Sequence, residues 1–310
     1  MSAATETLIE PSSSAPVTST AAYPTTRLLY WSVRRELWEN RSIYLGPLIV
    51  AGVMLIGFVL GARRHVRFFF QDAIRAIDLL DPAQRAEMLT KPLSLTAIPI
   101  VIAASLVALF YCLDALHGER RDRSILFWKS LPVSDFVTVL SKVLVPLVVL
   151  PAVTCLTIIG LQLLLVFVGS LVLLTGGLDG TALWTGLPLL QLWITMIYGI
   201  VVLALWYAPI YLWLLLVSGW AKRSTFLWAV LPPLALCLIE RIAFDTTVLW
   251  KLLLDRLDGF MHHGFDFERH RDATPDPLAL FATPGLWIGL VVAIGLFAAT
   301  VWFRRYRQPI

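Results

Sequence analysis

Apolar runs long enough to cross a bilayer recur along the chain, separated by shorter charged stretches. A transmembrane helix needs about 20 mostly apolar residues. Six segments meet that test: Ile43 to Ala62, Leu95 to Leu116, Val139 to Thr175, Leu187 to Trp220, Thr225 to Phe244 and Leu286 to Phe303. The third and fourth exceed one span. At 1.5 Å per residue, about 32 apolar residues reach roughly 48 Å, too short for a hairpin that crosses twice. Each therefore reads as one long helix, tilted or kinked, with Pro146 and Pro151 breaking the third and Pro188 and Pro209 the fourth. The pattern predicts an all-α, polytopic membrane bundle of six spans.

Composition agrees with lipid as the solvent. Of 310 residues, 58% are hydrophobic and 15% charged, against roughly 25% charged in soluble domains. Cys112, Cys155 and Cys237 lie far apart in apolar runs and read as small packed hydrophobes, with neither CxxC nor zinc spacing. The net charge of +4 is spread unevenly between loops, which argues for membrane topology and against a nucleic-acid partner.

Residues 1–22 are rich in Ser, Thr, Ala and Pro, with no basic and no apolar region of the signal-peptide kind. Residues 1–24 read as a disordered cytoplasmic tail, and 25–310 as one transmembrane domain. An even number of spans puts both termini on one side. With the N-terminus cytoplasmic, the inner segments carry 14 of the 25 Lys and Arg, so positive-inside counting favours both termini in, at a cytoplasmic (inner) membrane. Thr26 to Arg41 predicts an amphipathic helix in the membrane plane: Leu29, Val33 and Leu37 form a stripe, Arg27, Arg34, Arg35 and Arg41 lie mostly off it, and Trp31 and Trp38 flank it.

Between spans two and three, His117-Gly118-Glu119-Arg120-Arg121-Asp122-Arg123 is dense in charge of both signs, and the apolar turn Ile125-Leu126-Phe127-Trp128 follows. Pro132 disfavours helix at Leu131, so a short helix is expected from about Glu119 to Leu131. Ser134 is a good N-cap for span three, with Asp135 in its first turn. Such a helix offers Glu119, Arg120, Arg121, Arg123, Phe127 and Trp128 to a docking partner, since aromatic and Arg residues are the usual interface anchors. A solvated loop whose charges only fix topology is the plainer alternative.

Glu119-Arg120, Ser124-Ile125-Leu126, Leu131-Pro132-Val133-Ser134 and Lys142 together resemble a motif of ABC exporter permeases, the six-helix class whose ATPase is often a separate chain. The resemblance implies that this loop is the coupling helix that sits in a cleft of the ATPase subunit. It implies that the helix before span one is the elbow helix, and that a second permease copy or a sister permease completes the pathway. The long basic segment Arg63 to Ser94 departs from the family's commoner layout.

No Walker A run is present, nor even a Gly-Lys pair, so no phosphate cradle of that kind forms here; ATP and Mg²⁺ are expected on the partner. His262, His263 and His270 match no metal-ligand spacing, and no catalytic, metal or cofactor residue is assigned. Asp114, Glu240 and Arg241, ionisable groups near span ends, are candidate pathway or gating residues. Gly285-x-x-x-Gly289 is a candidate site of close helix approach. Val248 to Leu257 is amphipathic but too short to span, and Phe68 to Met88 reads as helical. A self-sufficient secondary transporter or a non-catalytic membrane scaffold are the alternative functions. The transported substrate is not legible.

Overall fold

A computed structural model describes residues 25–65, 81–122, 133–175, 180–258 and 283–306. Every regular element among them is a helix: α1 (Thr25–Glu39), α2 (Ser42–His65), α3 (Pro82–Leu95), α4 (Ala97–Asp114), α5 (His117–Arg121), α6 (Asp135–Leu144), a π turn (Val145–Val149), α7 (Leu150–Thr175), α8 (Ala182–Gly186), α9 (Leu189–Trp220), α10 (Thr225–Phe244), α11 (Val248–Leu257) and α12 (Pro284–Tyr306).

Six stretches are long and apolar enough to cross a membrane: Ser42–Gly61, Met88–Arg121, Asp135–Thr175, Leu189–Trp220, Thr225–Phe244 and Pro284–Tyr306. They match the six apolar runs in order. Their outward faces carry large side chains that water would reject, among them Leu156 (71% exposed), Ile242 (76%) and Ile294 (69%). Lipid is the solvent that accommodates such surfaces, and the chain has the character of a multi-pass membrane protein.

The long third run is a single helical path, as its length requires, with its irregularity where Pro146 predicts it. The proline has no N–H to donate, and the backbone opens into the π turn Val145–Val149 before α7 resumes at Leu150. Pro209 lies inside α9, whereas Pro188 immediately precedes that helix and does not kink it. Span two extends further than its apolar core, because α3, α4 and α5 follow one another closely. The break between α3 and α4 at Thr96 leaves the Leu93 carbonyl to accept from the Thr96 N–H (3.2 Å), the Thr96 hydroxyl (2.6 Å) and the Gln162 amide of α7 (3.1 Å). Gln162 is fully buried and also accepts from Trp193 Nε1 of α9 at 3.0 Å. One amide thus ties spans two, three and four in the apolar interior. The expected helix over Phe68 to Met88 lies mostly outside the described residues; within them, helix starts at Pro82.

Span four (α9) is the central post and the most buried, and span five (α10) packs least. α9 lies along α12 and against α4, and α2 lies against α4 and α7. Two large apolar layers result, beside a small cluster of Val202, Trp206 and Leu286. One collects Ile43, Tyr111, Cys112, Val139, Leu212 and Leu215, and the other Ile100, Ile158, Leu161, Leu192, Met196 and Ile200. At Gly46, a Cβ would come within 2.8 Å of Val107 Cγ2, so the missing side chain lets α2 approach α4.

α10 is bounded by two left-handed, non-glycine residues, Ser224 (φ 49°) and Asp245 (φ 48°), a conformation costing on the order of 1 kcal/mol each. Beyond Asp245 the chain turns into α11, which returns to the bundle without burying a residue. At its far end the Arg256 carbonyl accepts from Trp206 Nε1 (3.1 Å) and the Leu257 carbonyl from the Tyr207 hydroxyl (2.9 Å). The Arg256 guanidinium lies 4.3 Å from the Trp206 ring centroid and donates to the Gly285 carbonyl at 3.0 Å. A methyl group at Gly289 would collide with that guanidinium. The small pair Gly285 and Gly289 therefore seats an arginine and thereby joins α9, α11 and α12. Arg256→Ala and Gly289→Ala are each expected to cost about 1–2 kcal/mol, through the lost cation–π contact and hydrogen bond. Because both remove one contact, the double variant should cost little more than either alone, as read by thermal unfolding of the purified chain.

Candidate functional site

α1, α5, α6 and the end of α12 meet at one end of the bundle, and there the structure buries charge. The reason lies in the pattern of α1. Glu36 falls on the same side of that helix as Leu29, since seven residues at about 100° each bring them within about 20°. Packing the stripe of Leu29, Val33 and Leu37 against α6 therefore carries a carboxylate inside, where it is 1% exposed. α6 opens at Ser134, whose Oγ accepts from the Val137 N–H at 3.3 Å with Asp135 in the first turn, as expected. Two turns on, that helix places Lys142, 2% exposed, opposite Glu36.

Lys142 Nζ bridges Glu36 Oε1 at 2.9 Å and Glu119 Oε1 at 3.0 Å. Arg304 of α12 holds Glu119 Oε2 through Nη1 at 2.9 Å and Asp135 Oδ1 through Nε at 3.1 Å. Arg35 closes the ring from α1, 2.9 Å from Glu36 Oε1 and 3.4 Å from Glu119 Oε1. The Tyr111 hydroxyl donates to Glu36 Oε2 at 2.9 Å. Three carboxylates, Glu36, Glu119 and Asp135, are thus interleaved with three cations, Arg35, Lys142 and Arg304, and at the rim Arg35 also pairs with Glu39 at 3.5 Å. Burying so many ions is costly, and direct pairing is what makes it tolerable.

Burial drives the Glu36 carboxyl upward, but the Lys142 ammonium, with help from Arg35, outweighs it and holds the group below its ordinary value. A depressed value in the fold means that this carboxylate contributes stability above the usual carboxylate range of about 4 to 4.5. That contribution is lost as pH falls through the lower, folded value. Thermal midpoints of the purified chain should accordingly hold from neutral pH to about pH 4.5 and fall below it. Glu36→Gln should lower the midpoint at neutral pH and flatten the acid limb.

A second set of contacts locks α5 to the end of α9. Ser218 Oγ accepts from the Leu116 and His117 N–H groups at 2.9 and 3.0 Å, which satisfies donors at the start of α5. In return, Arg120 donates to the Ser218 and Ala221 carbonyls, both at 2.7 Å, at the C-terminus of α9.

The predicted docking set is therefore divided. Glu119 faces inward at 8% exposure, and Arg120 is spent on the end of α9. The sequence pattern predicts both on the helix surface, and tertiary packing turns them inward. Arg121 is exposed and pairs with Asp122 at 3.2 Å and Asp114 at 4.0 Å. Asp114, read as a candidate pathway residue, is thus on the same exposed surface. Arg123, Phe127 and Trp128, with the rest of the expected 119–131 helix, lie outside the described residues; the described part is α5, which starts at His117. Glu240 is engaged locally. Its carboxylate accepts from the Val248 and Leu249 N–H groups at 2.8 and 2.9 Å and from the Thr246 hydroxyl at 2.7 Å, capping α11. Arg241 is exposed beside it and does not pair with it. The histidines at 262, 263 and 270 lie outside the described residues, and no cluster of metal-ligating side chains occurs among the described ones.

Sequence reasoning missed Glu36, Arg35 and Arg304 as members of a site. A usable signal existed for Glu36, since a carboxylate within the apolar face of an amphipathic helix requires a buried cation. No protein-family model, curated protein or solved structure matches this chain.

Proposed function

We propose that this chain is the transmembrane permease subunit of an ATP-binding-cassette exporter, coupled through residues 119–131 to a separate ATPase chain. The observation that carries the reading is the position of Glu119. It stands at the root of the proposed coupling segment and is ion-paired to α6 through Lys142, to α12 through Arg304 and to α1 through Arg35. Its neighbour Arg120 grips the end of α9. A displacement of the 119–131 segment would reach spans three, four and six and the helix before span one together, which is what a coupling element has to do.

The two nucleotide-bound ATPase subunits, closing on each other, push that segment and bias the permease between inward-facing and outward-facing states. The ATPase supplies ATP, Mg²⁺ and the hydrolytic residues. This chain supplies the pathway and neither catalysis nor a cofactor. The cavity between spans two, three and four, lined in part by Ser105, Pro146, Thr154 and Tyr211, holds about 30 Å³, enough for about one water. So small a space is in keeping with a pathway that forms between two permease chains, a second copy or a sister subunit. The chain resides in the cytoplasmic membrane with both termini, and hence the ionic cluster, on the cytoplasmic side.

Affinity purification of the tagged chain from native membrane tests the proposal. The expected result is a co-purifying subunit that carries a Walker A run. Transport by the isolated chain on a proton gradient, with no such companion, would overturn it.

A further inference from the structure

The face of α1 turned away from the ionic cluster has its own regularity. Arg27, Trp31, Arg34, Trp38 and Arg41 follow one another at spacings of four, three, four and three residues. At about 100° per residue the four on α1 fall within an arc of about 60°, diametrically opposite Glu36. Trp31 and Trp38 are exposed, at 57% and 68%. The Arg34 guanidinium is held between them, 5.1 Å from one ring centroid and 4.8 Å from the other. A guanidinium stacked on indole faces keeps its in-plane N–H groups directed outward. Among the described residues no carboxylate pairs with Arg27, Arg34 or Arg41, whereas Arg35, on the flank of the helix, is paired with Glu36, Glu39 and Glu119. The acids of α1 are thus turned from this stripe, which presents cations and interfacial aromatics only.

From this arrangement we infer that the Arg27–Trp31–Arg34–Trp38 face of α1 is a binding surface for anionic phospholipid headgroups. Arg34 is the central phosphate ligand, and the two indoles fix its orientation at headgroup depth. Tryptophan favours that depth in a bilayer, and arginine there is attracted to an anionic leaflet. A zwitterionic lipid offers the same phosphate with a compensating ammonium, so the surface selects net negative charge. The inference rests on α1 lying at the membrane surface, and it is independent of which protein powers the bundle.

The test uses the full-length chain in nanodiscs of phosphatidylcholine, with and without about one third phosphatidylglycerol. Lipids retained by the protein on release from the disc are identified by native mass spectrometry. The expected result is preferential retention of phosphatidylglycerol, reduced about fivefold by Arg34→Gln and on the order of a hundredfold by Arg27→Gln, Arg34→Gln and Arg41→Gln together, since each arginine near an anionic surface is worth about a fivefold factor. A Tyr30→Cys chain carrying a fluorophore, quenched by brominated phosphatidylcholine in the discs without phosphatidylglycerol, reports separately whether α1 lies in the interface. Quenching together with an unchanged lipid ratio in the triple variant would overturn the headgroup site while leaving the helix in the membrane plane. Absence of quenching would overturn both.

Discussion

Lys142→Met is expected to be the most damaging single substitution in the described structure, lowering stability by about 3–5 kcal/mol. The ammonium stands between two carboxylates, 2.9 Å from Glu36 and 3.0 Å from Glu119, in a site closed to solvent. Methionine fills much of the same volume, so the loss is electrostatic. It leaves two buried carboxylates facing each other without the ammonium that stood between them. Glu36 keeps Arg35 and Tyr111, and Glu119 keeps Arg304, which limits the damage to destabilisation of this end of the bundle. In detergent the thermal midpoint should fall by on the order of 10 °C. Adding Glu36→Gln to Lys142→Met removes the orphaned charge and should recover more than half of the loss. Strict additivity of the two would show that the pair acts independently and that the cluster has been misassigned.

The second large effect follows from the proposed function and is on coupling to the ATPase. Trp128→Ala with Arg121→Glu should leave the chain folded and in the membrane, with ATP hydrolysis by the assembled complex largely retained and transport reduced by more than about tenfold. Aromatic and arginine anchors of an interface commonly cost about 2 kcal/mol or more each when removed. Arg121 suits this test because it pairs with Asp122 and Asp114 on the exposed surface, outside the buried ring of charges. Glu119 does not suit it, because its loss would strip a partner from Lys142 and Arg304 and confound coupling with folding. Wild-type transport per ATP in the double variant would count against residues 119–131 as the coupling element.

The parts of the architecture that depend on local sequence were legible. Runs of about 20 apolar residues mark the spans because the bilayer imposes that length. Ser134 could be read as a cap because the motif is complete within four residues, and Pro146 marks the irregularity in span three because it removes a backbone donor where it stands. The ionic cluster was only half legible. Lys142 drew notice through its resemblance to a motif, and Glu119 through its charged neighbourhood, but nothing local says that they face each other. The Arg304 guanidinium stands at the end of the last apolar run, and it is a buried partner of Glu119 and Asp135 far away in sequence. Gly285 and Gly289 read as a helix-packing pair, and the feature that uses them, Arg256, comes from a segment whose fold-back no periodicity announces. Glu240 had the look of a membrane-depth carboxylate; only the turn at Asp245 brings the start of α11 within its reach. Such pairings follow from tertiary geometry, and the sequence carries only the weaker hint that a buried charge must have a partner.

The positions of the span ends sharpen the orientation question. The start of α2, the ends of α5, α9 and α12 and the start of α6 all lie with α1 at the end that holds the cluster. From Lys142 to Thr175 the third span covers roughly 50 Å, against about 30 Å of hydrocarbon. That length allows the buried ions to sit at headgroup level, where ionic groups are less costly than at the midplane.

The proposed function requires that this end face the cytoplasm, where an ATPase can grip the link between spans two and three. Cysteine accessibility at residue 130 tests this most directly. Ser130→Cys would be placed in a chain with Cys112, Cys155 and Cys237 replaced by alanine, then treated with a membrane-impermeant maleimide in intact cells and in inverted membrane vesicles. Labelling in inverted vesicles alone is the predicted result, and labelling in intact cells would contradict the account.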